Sequence, residues 1–249
     1  MSRIAIIAAM ERELAPLVRG WKKDTLTSEE RNFLLFERDS VLAVVSGIGC
    51  KNAELAARAV IKQHRPELLI SAGLAGALIR SMKAGSVFVP SVVVDAADGA
   101  EYRCAADSNR VSGGVLVSAA EISGVEQKCK LVNRFHGLVV DMEAAGVARV
   151  ANQENIGFRC VKAISDEADF DMPPMGRFLD SNGRFQSGRF AAWAAVRPWQ
   201  WARVAALARN SKRAIQALCD WLREDLTATG PQSREVATLN RAEFSEVKR

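Results

Sequence analysis

Residues 41–76 read VLAVVSGIGCKNAELAARAVIKQHRPELLISAGLAG, and this stretch decides the fold class. Val41–Val45 is a short β-branched run that predicts a strand, and Lys51–His64 has apolar residues at helical spacing. Pro66 then separates this helix from a second apolar run, Leu68–Ser71. A strand, a helix and another strand in this order indicate an α/β layered sheet with at least partly parallel pairing.

The same alternation continues on both sides of this unit. Further predicted strands are Ile4–Ala8, Leu34–Phe36, Val87–Asp95, Val115–Ser118, Leu138–Asp141 and Arg159–Ile164. Helical patterns cover Glu11–Arg19 and Glu143–Gln153. We expect Leu34–Phe36 to form a hairpin with Val41–Val45, and we find no internal repeat.

The composition changes after Asp171. The Pro- and Gly-rich stretch Met172–Gly188 predicts a loop, and residues 189–226 predict a basic, Trp-rich helical part. Residues 227–249 are polar, and we expect a loosely ordered tail there. The expected organisation is therefore one domain over residues 1–226, with its core at 3–170, followed by a tail.

Composition and charge exclude several classes of protein. With 49% hydrophobic and 25% charged residues, the chain is neither collagen-like nor wholly disordered. A net charge of +5 is too weak to argue for nucleic acid. Five scattered cysteines predict reduced thiols, and two histidines argue against a His-rich zinc site, so we expect no metal and no cofactor. No secretory signal or membrane span is visible in the sequence, which predicts a cytoplasmic protein.

Four segments that follow predicted strands are candidate ligand sites, because open α/β sheets bind ligands where strands end. They are Ser46–Gly49, Ser71–Gly76, Asp141–Glu143 and Ser165–Asp169. Each also has a purely structural interpretation: a tight turn, a crossover, a helix N-terminus or a capped turn. Ser46–Gly49 half-matches a dinucleotide fingerprint, but Asn52 stands where the third glycine belongs.

Six motifs in sequence order carry a family resemblance. They are IAIIAAMERE at 4–13, SGIGCKNA at 46–53, AGLAG at 72–76, KAGSV at 83–87, DMEAA at 141–145 and AISD at 163–166. Together they resemble the purine nucleoside phosphorylase superfamily, and in particular its methylthioadenosine/S-adenosylhomocysteine nucleosidase branch, over about residues 3–170. This resemblance implies a three-layer α/β/α sandwich around a twisted mixed sheet, a nucleoside as the small-molecule substrate, and a homo-oligomer.

The resemblance also implies roles for individual residues. Asp166 aligns with the general acid that protonates purine N7, and Glu13 with the carboxylate that activates water. Glu143 aligns with the residue that holds the ribose hydroxyls, and Met142 with the one that packs against the sugar. The other expected substrate-binding residues are Ser46, Gly47, Ala72, Gly73, Ile122 and Ser165. Glycosidic cleavage needs one group that protonates the leaving base and another that delivers the nucleophile, and the acid must lie in a desolvated site to keep its proton.

The sequence favours water over phosphate as the nucleophile. Phosphorylases of the superfamily carry an arginine where this chain has Ser71, and no Arg or Lys lies between Pro66 and Arg80. The loss of a bidentate phosphate ligand, together with the presence of Glu13, predicts hydrolysis.

Two departures leave the 5′ substituent of the substrate open. The region between Asp95 and Met142 is shorter than in the nucleosidases, and Ile122 stands where they carry an aromatic residue. The pattern at 172–209 resembles hopanoid-associated members of the superfamily, which remove adenine from adenosylhopane. Trp and Arg at 189–223 predict either peripheral membrane contact or packing of this helix on the sheet.

Three alternatives to a methylthioadenosine-type nucleosidase remain at this point. One is an adenosylhopane nucleosidase or phosphorylase. Another is a nucleoside-binding module without catalysis, against which the presence of Glu13, Glu143 and Asp166 argues. The third is a Rossmann-type dehydrogenase, which rests on Gly47 and Gly49 alone.

Overall fold

The computed structural model describes residues 3–105, 113–122, 124–180 and 182–228. Its strands are β1 (Ile4–Ala8), β2 (Lys22–Thr27), β3 (Asn32–Arg38), β4 (Val41–Val45), β5 (Leu68–Ala77), β6 (Val87–Phe88), β7 (Val92–Asp95), β8 (Glu101–Arg103), β9 (Val115–Ser118), β10 (Val139–Asp141) and β11 (Gly157–Asp166). Its helices are α1 (Glu11–Leu14), α2 (Cys50–His64), α3 (Val125–Phe135), α4 (Ala144–Gln153), α5 (Ser187–Ala195) and α6 (Trp201–Ala228), with 3₁₀ turns at Met175–Phe178 and Pro198–Gln200.

All of these strands belong to one mixed sheet centred on β5. The order along the sheet is β2-β3-β4-β1-β5-β10-β9-β7-β8, and β11 pairs with β5 and β6. β5 runs parallel to β1 over its first residues, parallel to β11 over nearly all of its length, and antiparallel to β10 at Gly76 and Ala77. The ends of β1, β5, β10 and β11 therefore meet in one region of the sheet.

Helices cover both faces of this sheet. On β1, Ala5 and Ile7 belong to the core that α2 and α4 complete, while Ile6 and Ala8 belong to the core on the α1 and α6 side. Alternate residues of a strand point to opposite faces, so a strand covered on both sides reads as a continuous apolar run. This arrangement is the three-layer α/β/α sandwich that the resemblance implied, with the extra C-terminal helices added to it.

The long helix α6 is part of the second core. Ala214, Leu218 and Leu222 are fully buried against the sheet, and the guanidinium of Arg159 on β11 pairs with the Asp225 carboxylate at 2.7 Å. The predicted tail begins at 227, whereas α6 continues to Ala228; residues 229–249 lie outside the described part of the chain. No helix in the described part is both long enough and apolar enough to cross a membrane.

Several element boundaries differ from the sequence prediction. β5 does not end at Ser71 but continues through Gly73 and Gly76 to Ala77, because its neighbours β11 and β10 supply pairing partners along this length. The predicted strand at 87–95 is two strands, separated where Pro90 has no N–H to donate. The predicted helix 11–19 ends at Leu14, and β2, β8 and α3 were not predicted.

Candidate active site

A cavity of about 140 Å³ opens where β1, β5, β10 and β11 end. Six of the residues predicted from the sequence line it: Glu13, Ile122, Met142, Glu143, Ser165 and Asp166. The remaining lining residues are Ala9, Met10, Ile48, Leu74, Ala75, Gly76, Glu121, Lys128, Val140, Asp141, Met172 and Met175. The structure thus brings residues from five of the six sequence motifs into one small, mainly apolar space.

Glu13 lies in the short helix α1, directly after β1, and is 2% exposed. Its carboxylate accepts the Met10 N–H at 3.1 Å and the Leu74 N–H at 3.3 Å. Gly73 lies beneath it, where a Cβ would come within 3.3 Å of Oε2. Burial raises the pKa of Glu13, and the positive charge of Lys162 and the two backbone donors oppose this rise.

Glu143 is the N-cap residue of α4 and is also buried. Its Oε1 accepts the backbone N–H of Gly49 at 2.9 Å, which connects α4 to the turn before α2. Burial and the nearby Asp141 carboxylate raise the pKa of Glu143 to about 8, against the opposing charge of Lys162. The protonated form of Glu143 is therefore favoured up to a higher pH than in an exposed glutamate.

A buried network of polar groups lies behind these carboxylates. Asp141 accepts hydrogen bonds from the Ser118 hydroxyl at 2.5 Å and the Ala144 N–H at 2.9 Å, and its carboxylate is 2.8 Å from Lys162 Nζ. Lys162 also donates to the Ser71 hydroxyl at 3.1 Å. Burial is the largest single influence on Lys162 and lowers its pKa, but the charge and hydrogen bond of Asp141, together with the charges of Cys160 and Glu143, raise the pKa overall.

Asp166 ends β11, one residue after the pairing with β5 shifts by a bulge. Its Oδ2 lies 2.5 Å from Lys128 Nζ, and its Oδ1 lies 2.8 Å from the Ser165 hydroxyl oxygen. Gly76 faces the carboxylate, where a Cβ would approach Oδ2 to 2.8 Å. The site is as desolvated as the sequence analysis required, but it also holds a cation that the sequence analysis did not find.

The structure places the other four predicted residues around the cavity rather than on its wall. Ser46 is fully buried, and its hydroxyl is 2.8 Å from the Gly47 carbonyl oxygen. Gly47 lines a different cavity, next to Asn182. Ala72 faces the core on the α6 side, and Gly73 is covered by Glu13. The sequence analysis placed Ser46–Gly49 and Ser71–Gly76 in turns or crossovers that follow strands. In the structure, Ala72 and Gly73 lie within β5, and alternate residues of this extended strand face away from the site.

Two lysines and one glycine of the site were missed by sequence reasoning. Lys162 had a visible signal, since a charged residue inside an apolar strand requires a buried partner. Gly76 ends the candidate segment Ser71–Gly76, but its close contact with the Asp166 carboxylate was not predicted. Lys128 gave no signal, because it stands in a helix rich in charged residues.

A second cavity of about 500 Å³ adjoins the first and shares part of its wall. The shared residues are Glu121, Ile122, Met142, Met172 and Met175. Pro173, Pro174, Leu179 and Arg177 are among those that extend it outwards. Among the described residues, no group of three or more His, Cys, Asp or Glu side chains is arranged to hold a metal ion.

Known proteins are similar to this chain in sequence and in fold. The model of the phosphorylase superfamily matches residues 3–112 and 103–187. The 5′-methylthioadenosine/S-adenosylhomocysteine nucleosidase of Staphylococcus aureus is 30% identical over 204 residues, which is 67% of this chain and 87% of that protein. The corresponding nucleosidase of an Exiguobacterium strain is 28% identical over 201 residues, 67% of this chain and 86% of its own.

Solved structures show the same fold. The apo 5′-methylthioadenosine nucleosidase of Arabidopsis thaliana superposes with a TM-score of 0.71 at 19% identity, covering 91% of this chain and 95% of its own. The futalosine hydrolase of Helicobacter pylori superposes with a TM-score of 0.66 at 18% identity, covering 89% and 96%. At such low identity, these two structures support the architecture alone.

Proposed function

Since the chain belongs to the phosphorylase superfamily and is an enzyme of its purine nucleosidase type, we propose that it hydrolyses a 5′-substituted adenosine to adenine and the 5′-substituted ribose. One observation carries this proposal: Glu13, Glu143 and Asp166 line the same small cavity. We propose methylthioadenosine and S-adenosylhomocysteine as the first substrates to test, because these compounds appear in the names of the relatives.

Each carboxyl group has a distinct task in this reaction. When the C1′–N9 bond breaks, its electron pair stays on the purine, and Asp166 supplies a proton to N7. The ribose becomes an oxocarbenium-like species that water attacks, and Glu13 accepts a proton from that water. Protonated Glu143 both donates and accepts hydrogen bonds, which suits a pair of vicinal ribose hydroxyls.

We propose water as the nucleophile, because Lys162, the lysine that contacts Ser71, is already paired with a buried carboxylate. Lys162 reaches Ser71, yet its ammonium is paired with the buried Asp141 at 2.8 Å. Phosphate recognition relies on charged donors that are free to turn towards the anion.

The test is adenine release with and without phosphate from methylthioadenosine, S-adenosylhomocysteine and adenosine, for the wild type and Asp166→Asn. We expect phosphate-independent release from the thio-substituted nucleosides, loss of turnover in Asp166→Asn, and retained binding of substrate by that variant. Strict phosphate dependence would replace hydrolysis by phosphorolysis. Full activity of Asp166→Asn would show that another group is the acid, and binding without turnover in the wild type would favour the non-catalytic module.

The adjoining cavity favours a bulky apolar 5′ substituent as a second candidate. It begins beside Met142, the proposed sugar-packing residue, and its wall contains Ile122, Met172 and Met175. Methionines adapt to irregular apolar groups because the unbranched thioether is flexible. Adenosylhopane, the alternative from the sequence, fits this description, although no relative named above is a hopanoid protein. A rise in kcat/KM along a series of 5′-alkylthioadenosines with longer chains would support it, and a steady fall would reject it.

We also propose that the C-terminal helical part contacts a membrane surface. Val196, Trp199 and Trp201 are 69%, 70% and 57% exposed, whereas Trp193 packs on Phe178 and Phe190. Exposed tryptophans in a basic segment suit an anionic lipid interface. Co-sedimentation with vesicles containing phosphatidylglycerol should be lost in a Trp199→Ser/Trp201→Ser variant; equal binding by both proteins would reject this contact.

A cytoplasmic location and a homo-oligomer remain predictions. Sedimentation equilibrium of the purified protein tests the homo-oligomer.

A further inference from the structure

Lys128 reaches the proposed general acid from a different part of the fold. It lies in the first turn of α3 and is 2% exposed, although lysine is almost never fully buried unless it is paired. Its Nζ is 2.5 Å from Asp166 Oδ2 and 2.8 Å from the backbone carbonyl oxygen of Glu167. Two of its three N–H donors therefore engage the end of β11.

The Asp166 carboxyl group is enclosed on its other sides as well. Ser165 contacts Oδ1 at 2.8 Å, and the backbone of Gly76 lies close to Oδ2, where an added Cβ would come within 2.8 Å of it. The other charged groups that line the cavity are all acidic: Glu13 on α1, Glu121 before α3, and Asp141 and Glu143 before α4. Lys162 on β11 is paired with Asp141, and the Glu167 side chain with Lys83 at 3.1 Å. Among the described residues that line the cavity, Lys128 is the sole cation.

We propose that Lys128 is a positioning residue for Asp166, which fixes the carboxyl group in the cavity and stabilises the carboxylate left after proton transfer. This inference rests on the proposed function. When the proton moves from Asp166 to purine N7, a negative charge appears in an almost dry site. An ammonium already in contact with that oxygen stabilises the charge without rearrangement, which is the condition under which electrostatic stabilisation is most effective.

A purely structural lysine would behave differently. Buried ion pairs are often replaceable by apolar residues at little cost in stability, so burial of this pair does not by itself explain a lysine here. Asp166, whose carboxylate Lys128 contacts, lines the cavity in which the adenine of the proposed substrate would lie. The proposed role therefore predicts a loss of turnover and a change in its pH dependence in the folded enzyme, beyond the stability that is lost when Asp166 is left without its buried partner.

The experiment compares Lys128→Met, Lys128→Gln and Lys128→Arg with the wild type in adenine release from methylthioadenosine. Lys130→Met is the matched control, since Lys130 is on the same helix, is 69% exposed, and pairs with Glu126. We expect Lys128→Met to lower kcat by about 100-fold, the order found when one stabilising donor is removed. KM should change less than about threefold, because the interaction matters in the transition state. Lys128→Arg should recover much of the loss.

The pH profile provides the second readout. The rate of an acid-catalysed cleavage depends on pH through the group that supplies the proton and through the charge nearest to it. Removal of the cation in Lys128→Met should therefore change the pH dependence of kcat as well as lower its maximum. A structural role would lower the amount of active enzyme without changing the shape of the pH profile.

The outcomes separate this inference from the proposed function. Absence of turnover in the wild type rejects both. Wild-type turnover with an unchanged kcat and pH profile in Lys128→Met rejects the role of Lys128 alone. If Lys128→Met does not fold, Lys128→Gln, which keeps a donor but not the charge, carries the same two expectations. An equal loss in Lys130→Met would also reject the inference.

Discussion

Replacing Glu143 by glutamine is expected to make the protein more stable than the wild type at pH 8, but not at pH 4.5. Burial and Asp141 raise the pKa of Glu143 from an ordinary value of 4.5 to about 8. The unfolded chain loses this proton near pH 4.5, whereas the folded protein keeps it until about pH 8. The contribution of Glu143 to the free energy of unfolding is therefore fully present below pH 4.5, and it is lost progressively as the pH rises to 8.

The size of the effect follows from that difference in proton affinity. At about 1.4 kcal/mol for each tenfold change in proton affinity, the raised pKa corresponds to at most about 5 kcal/mol. We expect about 2–5 kcal/mol, because the charges of Asp141, Lys162 and Glu13 all act on Glu143. Glutamine resembles the protonated carboxyl group, and its oxygen can still accept the Gly49 N–H. The variant therefore lacks the pH-dependent loss.

Urea unfolding at pH 4.5, 6 and 8 measures this difference directly. The free energy of unfolding of the variant should match the wild type at pH 4.5 and exceed it increasingly towards pH 8. Glu101→Gln, at an exposed position on β8, is the control and should show no such trend. A constant difference between variant and wild type, or one that favours the wild type at pH 8, would mean that folding does not raise the pKa of Glu143.

Three further substitutions test the site. Glu13→Gln should lower kcat by about 10²–10⁴-fold with little change in KM, measured by adenine release, because it removes the proposed base; in the wild type, activity should rise with pH above the range of an exposed glutamate. Gly76→Ala should lower kcat by about 10²-fold, because the added Cβ would displace Asp166, while circular dichroism stays unchanged. Lys162→Met should cost about 3–5 kcal/mol in urea unfolding by leaving Asp141 buried and unpaired, and Asp141→Asn in the same chain should restore part of it.

The sheet was largely predictable from the sequence, because strands covered on both faces carry unbroken apolar runs. Ile4–Ala8, Val41–Val45 and Val115–Ser118 were predicted with the boundaries that the structure shows. β5 was predicted too short, since glycine usually marks the end of a strand. The sequence could not reveal that Gly73 and Gly76 make room for carboxylates of other elements within the same strand.

The site was predictable to the extent that its residues follow strands. Asp141–Glu143 and Asp166 come directly after apolar runs, so their place at the end of the sheet could be inferred. Lys128 could not, because periodicity does not distinguish it from Lys130 two residues later. One of these lysines is buried and the other exposed, and tertiary packing of α3 against the end of β11 decides which.

The two lysines divide four of the five carboxyl groups that line the cavity into two kinds. Lys162 pairs with Asp141 and Lys128 with Asp166, whereas no ion pair joins Glu13 or Glu143 to another of the described residues. Burial raises the pKa of both of these glutamates. A carboxylate that binds protons tightly is the stronger base, which suits Glu13 for accepting a proton from water. At Asp166, the adjacent ammonium is placed to stabilise the negative charge that proton transfer to the purine leaves behind.

Hydrolysis moves one proton from the acid to the purine and another from water to the base. The opposite environments of Asp166 and Glu13 favour both transfers. The ammonium of Lys128 stabilises the negative charge that Asp166 acquires, and burial stabilises the protonated form of Glu13. If this division is correct, combining Lys128→Met with Glu13→Gln should lower kcat by about the product of the two single effects, because the two substitutions act on different protons. A double variant no slower than Glu13→Gln alone would show instead that Lys128 and Glu13 act on the same step.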